Sequence, residues 1–165
     1  MRLYAARHIV AAIARGNAMS SRRARVSLCM IVRNEEHNLE ACLAPVAHLF
    51  DEIIIVDTGS TDATKAIAQR FTPHVIDFAW CDDFAAARNE SLRHATGDWI
   101  FWLDADDRVE PEQVARLARL FDEKLDTRWR AYMLDTVMPA DDPGRDAHVT
   151  SHPRLFRRHA ELRWH

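Results

Sequence analysis

The chain has 165 residues, enough for one domain with its own core. With 48% hydrophobic and 28% charged residues it falls among globular proteins, not disordered ones. A net charge of −3 removes the electrostatic case for a nucleic-acid surface. No run reaches the ~18 apolar residues of a membrane helix, so no transmembrane segment is expected.

Residues 1–25 stand apart. They carry Arg2, Arg7, Arg15, Arg22, Arg23 and Arg25 and no acid. The apolar stretch from Ile9 to Ala14 is short for a secretory core. A surface-lying amphipathic helix is one reading. The preferred one is a basic N-terminal extension, non-native or disordered, with Met19 as the true start. The domain proper then covers residues 26–165.

Val26 to Val32 reads as the first strand. Asn34 resembles a helix N-cap, with Glu35 and Glu36 in the first turn, where negative charge is favoured. That helix is expected to run to about His48, with Pro45 kinking or ending it. Glu52 to Asp57 is the second strand, an apolar run buried on both faces. Thr58-Gly59-Ser60 turns the chain, and Thr61 or Asp62 caps a helix through Phe71. His74 to Phe78 is the third strand. Asp82 or Asp83 opens a helix that ends near Thr96-Gly97, Gly97 suiting the left-handed position after it.

Trp99 to Leu103 is the fourth strand, and Pro111 starts a helix to about Glu123. Arg130 to Met138 is a further strand, Asp141-Asp142-Pro143-Gly144 a turn, and Arg154 to Arg158 a short strand candidate. Four β-then-α alternations imply a mostly parallel sheet flanked by helices, an α/β fold. Right-handed crossovers then bring the C-terminal ends of strands one, two and four to one edge. Ligands of open α/β sheets bind there.

Cys29, Cys42 and Cys81 lack ligand spacing. Buried free thiols fit the first two, which favours a reducing compartment and hence the cytoplasm. His148 and His152 are four apart, but Pro153 argues against a helix presenting both to a metal.

The chemistry gathers at the expected sheet edge. In Asp104-Ala105-Asp106, alternation in an extended segment would turn both carboxylates to one side. Such a pair suits a divalent cation shared with substrate phosphates. The plainer alternative is helix capping or turn decoration. Asp57 ends a strand and could accept from a base or ribose, while Asp62 could merely cap its helix. Arg88 shares a helical stripe with Phe84 and Leu92. It should therefore pair with a buried Asp or reach a phosphate or base, because an unpaired charge there is costly. Asn89 sits beside it.

These pieces occur in order: Val26-Ser27-Leu28-Cys29-Met30-Ile31-Val32-Arg33-Asn34-Glu35-Glu36, Val56-Asp57-Thr58-Gly59-Ser60-Thr61-Asp62, Ala86-Ala87-Arg88-Asn89, Ala95-Thr96-Gly97-Asp98-Trp99 and Leu103-Asp104-Ala105-Asp106-Asp107. Over about residues 26 to 112 the chain closely resembles the family 2 glycosyltransferases of GT-A (Rossmann-like) fold. It looks most like the bacterial branch related to enzymes that glycosylate peptides or cell-envelope components.

The resemblance implies a nucleotide-sugar donor, a UDP-sugar by preference, with Mg²⁺ or Mn²⁺, and transfer with inversion at the anomeric carbon. Asp57, Asp62, Arg88, Asn89 and Asp104 become candidate nucleotide contacts, and Asp104 and Asp106 the metal-side carboxylates. The acceptor (peptide, glycan or lipid-linked) stays open, as does peripheral association with the inner membrane face. His152-Pro153-Arg154-Leu155-Phe156-Arg157-Arg158 resembles a segment that precedes a His-Glu pair in this branch, and the chain stops at His165 before such a pair. The C-terminal part of the fold therefore reads as incomplete, and no catalytic base is named. The competing reading is a non-catalytic nucleotide-binding remnant. A methyltransferase is disfavoured because no Gly-rich turn follows strand one. An aspartyl phosphatase is disfavoured because its nucleophile strand would open the fold.

Overall fold

The computed structural model describes residues 2–4, 23–122, 125, 130–138 and 148–165. Most of the N-terminal extension and the predicted turn at Asp141 to Gly144 lie outside them. The strands are β1 (Arg2–Tyr4), β2 (Val26–Val32), β3 (Glu52–Asp57), β4 (Val75–Asp77), β5 (Trp99–Trp102), β6 (Arg108–Val109), β7 (Ala131–Met138) and β8 (His148–Arg157). The α-helices are α1 (Leu39–Leu43), α2 (Thr64–Ala68), α3 (Phe84–His94) and α4 (Pro111–Asp122). One sheet runs in the order β4-β3-β2-β5-β8-β7-β1-β6. Within it β4, β3, β2 and β5 are parallel neighbours, and β8 is antiparallel to both β5 and β7. Parallel pairing aligns the C-terminal ends of β2, β3 and β5, the edge the alternation pattern called for.

The strand pleat divides the core in two. Leu28, Met30, Val32, Ile55, Trp99 and Phe101 face α1 and α4, meeting Leu39, Leu43, Leu117 and Phe121. Cys29, Ile54 and Ile100 face the α3 side, with Phe156 and the partly buried Leu92, Trp102 and Trp164. Helices cover both faces, so a polar side chain on either face of β2, β3 or β5 would lose its water. That is why these strands are almost wholly apolar. Cys29 and Cys42 are unpaired and buried, and burial pushes each thiol up to about 12.

Several local expectations are corrected. The helix expected from Asn34 to about His48 is only α1, followed by a 3-10 turn at Ala47–Leu49. Asn34 is no N-cap: its backbone is left-handed, with φ 54°. The helix expected to reach Phe71 ends at Ala68. Gly97 is not in the left-handed region. It is required by close approach instead: a Cβ there would strike the Ser27 hydroxyl and lie 2.8 Å from the Ser27 amide nitrogen. The expected strand at Arg154 to Arg158 begins earlier, at His148.

Candidate functional site

At the carboxyl edge of the sheet, the loops after β2 and β3 are stitched together. The Asn34 side-chain oxygen accepts from the Thr61 amide at 2.8 Å, and the Ser60 hydroxyl accepts from the Asn34 amide at 3.0 Å. Glu36 accepts from the Ala63 amide at 2.9 Å, and Asp62 accepts from the Glu36 amide at 3.2 Å. Asp62 also accepts from the Thr64 amide at 2.9 Å, so both of its oxygens serve backbone groups. Desolvation works upward on the Asp62 carboxyl, yet these hydrogen bonds hold it below its ordinary range.

Asp57 ends β3 inside this framework, almost sealed from solvent. Its Oδ1 accepts from the amides of Gly59 at 2.9 Å and Ser60 at 2.8 Å. Gly59 permits this tight return with φ 103°. Asp57 Oδ2 is buried with no hydrogen-bond partner among the described residues, and Asp57 is not among the residues that line the adjoining cleft, although its neighbour Thr58 is.

Beyond β5 the chain makes a tight turn, not the extended segment expected, closed by the Asp107 amide donating to the Asp104 carbonyl at 3.0 Å. Asp104 and Asp106 nonetheless both line one cleft, because the turn carries them round the buried Ala105. Asp83 caps α3 by accepting from the Ala86 amide at 3.0 Å, which aims Arg88 at this turn. Arg88 Nη2 donates to Asp104 Oδ1 at 3.2 Å, and its guanidinium lies over Trp102 and Trp164, 4.6 and 4.8 Å from the ring centroids. Of its expected stripe, Leu92 packs inward while Phe84 is 65% exposed against Trp80. Asn89 turns away from the cleft, donating to the Trp164 carbonyl at 3.0 Å and accepting from its amide at 2.8 Å.

The cleft has a volume of about 490 Å³. One wall comes from the ends of β2 and β3 (Arg33, Glu35, Thr58), another from Trp80, Phe84 and Arg88, and the floor from Asp104 to Asp106. It therefore joins an aromatic side, where Trp80 and Phe84 meet edge to face, to a charged end where cationic and anionic groups meet.

Two residues at this site were not singled out from the sequence. Arg154, on β8, is 1% exposed and stacks on Trp102 at 3.7 Å from the ring centroid. Its Nη1 lies 3.0 Å from Asp107 Oδ2 and 3.6 Å from Asp104 Oδ2. Asp107 is wholly buried, and burial pushes its carboxyl up to about 6 despite the Arg154 charge. The readable signal was an arginine just inside a predicted strand, where a charge needs a partner.

The "Glycosyl transferase family 2" model matches residues 27–161. A TPR repeat-containing protein of Synechococcus elongatus is 39% identical over 141 residues, covering 86% of this chain and 34% of that protein. The glycosyltransferase SunS of Bacillus subtilis is 32% identical over 142 residues, covering 82% of this chain and 32% of SunS. The chain thus spans about a third of the length of these two relatives. Among solved structures, Staphylococcus aureus TarS shares the fold, with a TM-score of 0.50 at 24% identity over 60% of this chain and 32% of that one.

Proposed function

The chain belongs to glycosyl transferase family 2, and from that membership we propose that its cleft binds a UDP-sugar with Mg²⁺ or Mn²⁺ and passes the sugar, with inversion, to an acceptor hydroxyl. The observation that carries this reading is the convergence of Asp104, Asp106 and Arg88 on a cleft also walled by the ends of β2 and β3.

The residues fit a hard divalent cation. Carboxylate oxygens are its natural ligands, and one or two of them suffice when substrate phosphates complete the shell. Among the described residues no three His, Cys, Asp or Glu groups gather to hold a metal alone, so donor phosphates would supply the remaining oxygens. The cation's contribution is to stabilise charge on the departing diphosphate. Arg88 supplies a second positive group at the same end. Asp57, beside Thr58 of the cleft wall, is the proposed acceptor for the base or ribose, its Oδ2 having no hydrogen-bond partner among the described residues. Asp62 and Asn89 support the site from outside: Asp62 stitches the two loops and Asn89 fixes Trp164. A carboxylate base would take the acceptor proton; no described residue is assigned that role. Among the described residues no helix is long and apolar enough to cross a membrane.

The test is calorimetric titration of UDP with and without Mn²⁺, using Asp106→Ala as control. Metal-assisted binding that the variant loses supports the reading. A folded protein that ignores millimolar UDP under both conditions refutes it.

A further inference from the structure

We propose that Arg154 is a positioning residue for the carboxylates of the cleft, acting from β8 through Asp107 on the Asp104–Asp107 turn. Only its consequence for ligand binding rests on the nucleotide-sugar reading; the geometry does not.

Antiparallel pairing of β8 with β5 sets Leu155 opposite Phe101 and so delivers Arg154 beneath the turn that follows β5. The Trp102 indole donates to the Pro153 carbonyl at 2.8 Å, which fixes the ring on which the Arg154 guanidinium lies. Asp107 Oδ2 then has two partners: the Arg154 guanidinium at 3.0 Å and the Asp104 amide at 2.9 Å. One carboxylate oxygen thus couples a buried cation on β8 to the backbone of the residue that faces the cleft. Because Nη1 also lies 3.6 Å from Asp104 Oδ2, the same cation acts on the Asp104 side chain directly.

The arrangement is a poor way to stabilise a core. Among the described residues Arg154 Nε and Nη1 and Asp107 Oδ1 are buried without hydrogen-bond partners, so these residues satisfy the ion pair incompletely. Apolar residues of similar shape would often do as well or better there. What the pair supplies is fixed positive charge beneath a turn that carries Asp104, Asp106 and Asp107. Three carboxylates in four residues repel one another, and a cation set below them offsets this without standing in the cleft, since Arg154 is not among the cleft-lining residues. Arg88 stands on the cleft side and is 27% exposed; Arg154 is held.

The test pairs hydrogen exchange of the amides of residues 104–107 in ligand-free protein with titration of UDP in the presence of Mn²⁺. The variants are Arg154→Met, Arg154→Lys and Arg154→Met/Asp107→Asn. Folded Arg154→Met should lose protection at residues 104–107 and bind on the order of tenfold more weakly, as loss of a residue that orients metal ligands does. Arg154→Lys should restore part of both. The double variant should regain resistance to urea without regaining affinity, because it removes the orphaned buried acid but not the missing charge. If Arg154→Met does not fold alone, the double variant carries the affinity comparison.

Unchanged protection in folded Arg154→Met overturns the proposal, and so does a double variant that regains affinity along with stability. Wild-type protein that binds no UDP would sink the nucleotide-sugar reading alone, since exchange still decides whether Arg154 holds the turn.

Discussion

Arg154 Nη1 and Asp107 Oδ2 approach to 3.0 Å inside the protein, with 1% and 0% of their side chains exposed. The approach lacks the angular geometry of a hydrogen bond at Nη1, so the pair is held by charge and packing. Removing the cation alone leaves Asp107 buried and uncompensated. Arg154→Ala is expected to cost about 3–5 kcal/mol, and adding Asp107→Asn should return part of it. Urea unfolding of the single and double variants measures both; equal midpoints for wild type and Arg154→Ala would refute the buried-charge account.

The entry to β5 is pinned by a different acid. Glu52 accepts from the Ser27 and Thr96 hydroxyls and from the Gly97 amide, the last two at 2.9 Å. Desolvation works upward on its carboxyl, but these donors prevail and hold it below the ordinary 4.5. A depressed carboxylate contributes stability above its unfolded value, and that contribution disappears as pH falls through the folded value. Stability should therefore fall on acidification below about pH 4.5. Glu52→Gln should be less stable at neutral pH and show a shallower acid loss. Urea midpoints from pH 7 to pH 3 test this, and parallel curves for the two proteins would contradict it.

Two glycines separate crowding from backbone strain. At Gly97 a Cβ would meet Ser27 and lie 3.0 Å from the Arg25 carbonyl oxygen; Ser27 is paired within the sheet, and the Arg25 oxygen accepts from the Trp99 amide at 3.0 Å. At Gly59 nothing lies within 4 Å, and only φ 103° opposes a side chain. Gly97→Ala should cost about 1–3 kcal/mol through overpacking and backbone displacement. Gly59→Ala should be folded, with strain of about 1–3 kcal/mol focused on the Asp57 turn. Its signature is altered exchange of the Gly59 and Ser60 amides, whereas Gly97→Ala should disturb the β2–β5 ladder. Exchange mapping that finds both effects in the same place would be against this division.

These particulars show what could be read in advance. Glu52 to Asp57 and Trp99 to Trp102 were legible because strands covered on both faces must be apolar, and their first polar residues, Asp57 and Asp104, mark the sheet edge. The first helix is expected too early because Asn34, Glu35 and Glu36 read locally as a helix start. Their polar atoms instead engage Ser60 to Thr64 across the neighbouring loop. Arg154 is hidden in the sequence for a related reason. Its place in a predicted strand signals only that the Arg154 charge needs a partner; which partner it finds follows from β8 joining β5, a pairing between distant segments that no local pattern encodes. Asp104 and Asp106 line one cleft through a turn, not an extended segment, so the residues are readable while their geometry is not.

Arg88 and Asp104 lead to the last prediction. Their contact is 3.2 Å, with side chains 27% and 33% exposed, so it is partly screened and readily exchanged. In the ligand-free protein Arg88 competes with any cation that would use Asp104. Toward a diphosphate, the same guanidinium is an attraction. Arg88→Ala should therefore act with opposite signs on two ligands: Mn²⁺ alone should bind a few-fold more tightly, and UDP without metal more weakly. The size follows from a partly screened pair, near the range of about 0.2–1 kcal/mol for pairs open to solvent. A defect of folding or packing, for instance from losing the stack on Trp102 and Trp164, would weaken both ligands together. Separate calorimetric titrations of Mn²⁺ and UDP into the variant decide between the two, and weakened binding of Mn²⁺ alone would rule out the competition.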